Sequence, residues 1–215
     1  MKRRGAALAV IAAVILSFLM PRAGVAMDEK AVIVAFGDSL TAGLGLPESE
    51  SFPAQLEAAL KARGKDVSVV NAGVSGDTTA AALQRLDWAM PQDASAVIVE
   101  LGGNDALQGI PPEGTKANLA KIIEKVKAKG LPVLLAGMEA PRNMGKDYVD
   151  AFHAVYPALA AQYGVVFYPF FLDGVALDDG LMQEDGIHPN AKGVAKIVAS
   201  IMPKVDELLA QVKTN

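Results

Sequence analysis

The 215-residue sequence contains no cysteine, only two histidines and a single tryptophan. Without cysteine, disulfides, thiolate nucleophiles and thiolate metal sites are excluded. His153 and His188 stand 35 positions apart with no ligand cluster around either, so no metal site is expected. Basic residues are also scarce once the N-terminus is set aside. The formal charge is −4, but residues 1–26 hold Lys2, Arg3, Arg4 and Arg22 and no acid. The remainder has 16 basic against 24 acidic residues, a net charge of −8. So acidic a chain offers no phosphate-neutralising surface, and no nucleic-acid partner is expected.

What is present describes a globular chain. Half of it is apolar and a fifth charged, and its length suits one ordinary domain with a real core. Residues 1–26 read as a secretory signal peptide. Lys2, Arg3 and Arg4 precede an apolar run from Ala6 to Met20, Pro21 breaks it, and Ala23, Gly24 and Ala26 suit cleavage after Ala26. The alternatives are an uncleaved anchor, for which the run is borderline in length, and a start at Met27. A periplasmic or secreted protein with one domain over 27–215 is the expectation. Export without disulfides is acceptable at this size.

The body alternates short β-branched runs with longer helical patterns. Ala31–Phe36 (AVIVAF) reads as a strand buried on both faces, and Val67–Asn71, Ala96–Leu101, Leu131–Gly137 and Val165–Tyr168 are of the same type. Helical patterns cover Phe52–Arg63, Thr78–Trp88, Lys116–Lys129, Asp147–Tyr163 and the segment from Asn190, where a kink is expected at Pro203. Five strands alternating with helices predict a parallel sheet covered on both faces, a three-layer α/β/α sandwich. Ligands gather beyond the carboxyl ends of such strands. The reactive residues lie there: Gly37-Asp38-Ser39-Leu40-Thr41 follows the first strand, Asn71–Asp77 the second, and Gly102-Gly103-Asn104-Asp105 the third. Asp185-Gly186-Ile187-His188 stands before the last helix.

A serine hydroxyl needs a base to become a nucleophile, and His188 is the better of the two candidates. His153 lies in a helical pattern with no acid nearby and reads as a surface or packing residue. Asp185, three residues before His188 across a glycine turn, can reach Nδ1 and leave Nε2 to accept the Ser39 proton. A helix-capping turn ahead of Asn190 is the structural alternative, and both readings can hold together. Oxyanion donors are also required; the backbone N–H groups of Ser39 and Gly76 and the Asn104 side-chain amide are the candidates. Asp38 and Asp105 read as loop-holding residues. The G-x-S-x-G elbow is missing around Ser39, where Thr41 takes the place of the last glycine, which disfavours the larger α/β-hydrolase fold.

These blocks resemble the GDSL, or SGNH, hydrolase family, whose serine, glycine, asparagine and histidine match Ser39, Gly76, Asn104 and His188. The likeness runs over the whole mature chain, through GDSLTAGLGLP, NAGVSGDTTAAALQRL, ELGGNDALQGI, YPFFLDGVAL and MQEDGIHPN. It is greatest to the bacterial thioesterase, lysophospholipase and arylesterase branch. The resemblance implies a flavodoxin-like sandwich with a five-stranded parallel sheet and no cofactor. It further implies hydrolysis of small-molecule carboxylic esters and thioesters through an acyl-enzyme on Ser39, with transient contact with membrane lipid. It places Met138, Ala140 and Pro141 along the acyl site; Glu139 stands where a relative can carry a basic residue, so substrate preference does not carry over. Two alternatives stay open: a carbohydrate O-deacetylase with the same triad, and a non-catalytic lipid-binding protein. Leu44, Leu46, Met138, Pro141 and Met144 around the expected site favour acyl chains over sugars. Oligomeric state is not set by these residues.

Overall fold

The computed structural model describes residues 30–212, so the signal peptide expected over 1–26 lies outside the described residues. Strand β1 (Ala31–Gly37) is followed by β2 (Val67–Gly73), β3 (Ala96–Glu100), β4 (Val133–Ala136) and β5 (Val166–Tyr168). All pair in parallel, in the order β2-β1-β3-β4-β5. The continuous apolar runs of β1, β3 and β4 form strands because both faces of the sheet are covered there, whereas edge strand β2, expected to be buried on both faces as well, leaves Val70 and Asn71 exposed. Every residue of β3 is buried, and so are all but the first of β1.

Helix α2 (Phe52–Ala62) packs against α8 (Ala191–Leu209) on one face, and α3 (Thr79–Ala89), α5 (Pro112–Ala128) and α7 (Val155–Tyr163) form a row on the other. This is the three-layer α/β/α sandwich, in the flavodoxin-like strand order. Each long helix turns a buried stripe to the sheet, such as Leu119, Ile122, Ile123 and Val126 of α5. The order reverses between β1 and β3, where neighbouring connections leave toward opposite faces and open a crevice beyond the strand ends. Two four- to five-residue helices stand there, α1 (Ser39–Ala42) and α4 (Gly103–Leu107).

One expectation for the helices changes. The pattern over Asp147–Tyr163 predicts one helix, but the chain forms α6 (Lys146–His153) and then α7, parted at Ala154. Pro157 is the physical reason: it has no N–H to give His153, and its ring crowds that carbonyl. Helix α8 runs on through Pro203 to Leu209. Among the described residues no helix is long and apolar enough to cross a membrane.

Candidate active site

Ser39 is the first residue of α1, on a turn that the end of β1 presents into the crevice. Asp38 caps that turn, its Oδ1 accepting a 3.0 Å bond from Leu40 N–H. The turn sits down on the end of β2 because Gly73 has no side chain: a Cβ there would lie 2.3 Å from Ala42 N and 2.8 Å from Asp38 O. Beneath it the Thr41 hydroxyl donates a 2.7 Å bond to Glu100 Oε2.

His188 arrives from the loop before α8. Ile187 and His188 both donate their backbone N–H to Asp185 Oδ1, at 2.9 and 3.0 Å, which closes the turn over Gly186. Asp185 Oδ2 then lies 2.5 Å from His188 Nδ1, and His188 Nε2 lies 2.9 Å from Ser39 Oγ. An ionised carboxylate only accepts, so Nδ1–H donates to Asp185 and the Ser39 hydroxyl donates to Nε2. The backbone bonds from His188 and the contact with its ring hold the Asp185 carboxyl down to about 2. Asn190 both caps α8, accepting from Lys192 and Gly193 N–H, and donates to Gly180 O and Met182 O, so the capping and site-building readings hold together.

The three expected oxyanion donors stand in different states. The N–H groups of Ser39 and Gly76 meet no acceptor among the described residues. Gly76, at φ +86°, sits in the left-handed region that favours glycine. Asn104 lines the cavity beside Ser39, but its amide nitrogen donates to Asp77 O at 3.0 Å and Asp38 Oδ2 at 3.2 Å. Burial raises the Asp38 carboxyl to about 6, against the pull of Leu40 N–H and the Asn104 amide. Asp105 is a loop-holding residue, gripping Thr79 N–H at 2.8 Å and the Thr115 hydroxyl at 3.1 Å. His153 is exposed at the end of α6, away from all of this.

Arg85 carries no signal in the sequence, yet it ties this region together. From α3 its guanidinium donates to Asp77 Oδ2 at 2.5 Å, Gly37 O at 2.9 Å and Ala72 O at 3.0 Å, and it lies 4.4 Å above the Phe36 ring. One buried cation thus joins the ends of β1 and β2 to the Gly76 loop.

Ser39, Gly76, Asn104 and His188 all open on one cavity of about 820 Å³. Met138, Ala140 and Pro141, which the resemblance places along the acyl site, line this cavity with Leu44; Leu46 and Met144 do not. The sequence reading missed the opposite wall, where Phe170, Leu172, Leu177 and Ile187 come from the long loop between β5 and α8, together with Leu107 from α4. Leu44, Leu107, Leu177 and Ile187 also leave an exposed apolar rim at its mouth. Leu177, 85 % exposed, is the one non-glycine residue in the left-handed region among the described residues, at φ +68°.

The chain resembles known esterases and thioesterases in sequence and in structure. Over 178 residues the chain is 42 % identical to Esterase TesA of Pseudomonas aeruginosa, covering 82 % of this chain and 89 % of that protein. It is 42 % identical over 159 residues to Thioesterase 1/protease 1/lysophospholipase L1 of Escherichia coli K12, covering 74 % and 75 %. The crystal structure of AlinE4, an SGNH-hydrolase family esterase, superposes with a TM-score of 0.72 at 46 % identity, over 85 % of this chain and 98 % of that one. The sequence model of the GDSL-like Lipase/Acylhydrolase family matches residues 35–196, and the chain belongs to that family.

Proposed function

We propose that the protein is a serine-dependent hydrolase of carboxylic esters and thioesters that works through an acyl-enzyme on Ser39. The observation that carries the reading is the continuous chain Asp185–His188–Ser39, at 2.5 and 2.9 Å, opening on an apolar cavity beside two unspent backbone donors. His188 takes the Ser39 proton as Oγ attacks the acyl carbon, while Asp185 fixes the tautomer and stabilises the imidazolium. The oxyanion settles on the N–H groups of Ser39 and Gly76, and Asn104 joins them by turning one N–H away from its longer bond to Asp38. His188 then protonates the departing alcohol, phenol or thiol. It next activates water to release the acid.

The substrate is a small molecule with an acyl or aryl group, matched to the apolar walls over Met138, Ala140, Pro141 and Phe170. The apolar rim supports transient contact with lipid during substrate capture. The basic, apolar and small-residue succession of residues 1–26 supports export and cleavage after Ala26. Hydrolysis of p-nitrophenyl esters of graded chain length by protein beginning at Met27, beside acetylated sugars, tests the reading. Turnover of medium-chain esters is expected; turnover of acetylated sugars alone would replace it with the O-deacetylase.

A further inference from the structure

One buried group at the site has no part in the reaction just described. Glu100 closes β3, in register with Gly37 at the end of β1, and is 0 % exposed. Its Oε2 accepts the Thr41 hydroxyl, while Oε1 meets no donor. The backbone N–H groups of Asp38 and Thr41 face the same carboxyl. The space for this contact is the missing side chain of Gly37: a Cβ there would lie 2.1 Å from Thr41 Oγ1 and 2.7 Å from Glu100 Oε2. Gly37, Asp38 and Thr41 are thus arranged around one carboxyl, with Ser39 between them.

The surroundings favour the uncharged acid. Arg85 directs its guanidinium to Asp77 and two carbonyls, not to Glu100. Asp38 from the turn and Tyr156 from α7 pack near the group, with Asp77 and His188 beyond Asp38. Ionised, this carboxyl would hold a buried charge with no counter-charge and with one oxygen that meets no partner; the neutral acid carries no such charge. Burial raises the Glu100 carboxyl well above its ordinary range, and the charge of Asp38 raises it further.

We propose that Glu100 is a positioning residue for the Ser39 turn, held as the neutral acid, which fixes Thr41 and the backbone around the nucleophile. Above about pH 6, Asp38 is then the ionised carboxyl that meets Asn104. The inference rests on the reading of Ser39 as nucleophile.

The test is kcat and KM for a p-nitrophenyl ester between about pH 5 and about pH 9, with thermal unfolding of each variant. Glu100→Ala removes the acceptor and is expected to lower kcat ~10-fold or more while KM stays within about twofold, as when geometry is lost in the transition state. Thr41→Val is expected to reproduce that loss with the carboxyl in place. Glu100→Gln keeps shape, acceptor and charge state; it is expected to restore kcat to within about twofold, with the acidic limb of the profile unmoved. The proposal is overturned if folded Glu100→Ala or Thr41→Val keeps the parent kcat. It is equally overturned if Glu100→Gln loses as much as alanine or moves the acidic limb, since a charge would then be in use. Ser39→Ala in the same series separates the two readings. Activity surviving in it sinks the serine hydrolase itself, whereas its loss beside a fully active Glu100→Ala sinks only the role of Glu100.

Discussion

Asp38, Ser39, Thr41 and Glu100 sit on strand ends with almost no solvent contact, whereas the Asp185 side chain that grips His188 is 44 % exposed. The half around Ser39, the proposed nucleophile, is held by groups distant in sequence: Glu100 from β3, Asn104 from α4 and Arg85 from α3. The half around His188, the proposed base, is held within four residues, Asp185 accepting from the backbone of Ile187 and His188 and from the ring. Burial makes the first half stiff and expensive to alter, because each polar group there depends on its partner. Turn chemistry makes the second half local and cheap, since water stands by to replace what is lost. Substitutions should therefore cost activity in both halves and stability chiefly in one.

The largest effect is expected at the exposed half. His188→Ala should lower kcat on the order of 10⁴-fold or more, since a serine without its base is a poor nucleophile. Its unfolding midpoint should stay close to the parent, and a large loss of stability would break the comparison. Asn104→Ala comes next, at about 10²–10³-fold in kcat for one oxyanion donor. A loss confined to KM would remove Asn104 from the oxyanion site. Arg85→Ala should cost ~3–5 kcal/mol in urea unfolding, because it leaves Asp77 buried without its partner. Asp185→Ala, measured alongside, should lie within about 1 kcal/mol of the parent. Equal costs in the pair would mean that the two halves are not held differently.

The smallest effects are in the pH dependence of stability, where the halves have opposite signs. The Asp38 carboxyl is raised from 3.8 to about 6, so between those values the native state holds a proton that the unfolded chain has released. That group makes stability fall as pH rises through the window, by on the order of 2–3 kcal/mol. Asp185 is lowered to about 2, so its contribution is present above about pH 4 and fades as pH falls toward 2. Urea unfolding across this range should show the slope between pH 4 and 6 weakened in Asp38→Asn and kept in Asp185→Asn. The reverse pattern would exchange the roles assigned to burial and to the turn.

The same contrast explains what could be read from the sequence. Ser39, Gly76, Asn104 and the Asp185–His188 pair stand in short motifs after apolar runs, and local order placed all of them at strand ends or on the loop before α8. Strands β1, β3 and β4 were legible because burial on both faces requires continuous β-branched runs, while the edge strands β2 and β5 showed themselves by β-branched and aromatic residues alone. Arg85 and Glu100 were not, because a charge in a helix pattern or at a strand end looks the same whether water or the core receives it. The wall from Phe170, Leu172, Leu177 and Ile187 was hidden in a loop without periodicity, and Leu46 and Met144 show that nearness in sequence did not put a residue in the cavity. The break at Ala154 was signalled by Pro157 and overridden by the longer helical pattern.

The account turns on Ser39, and labelling answers for it most directly. Protein beginning at Met27 would be treated with a p-nitrophenyl phosphonate, and release of p-nitrophenol and the mass of the chain followed. The account expects one equivalent released, one phosphonyl group added on the peptide carrying Ser39, and no reaction with folded Ser39→Ala. Labelling that persists in Ser39→Ala, or activity that survives it, would contradict the claim that this serine is the nucleophile.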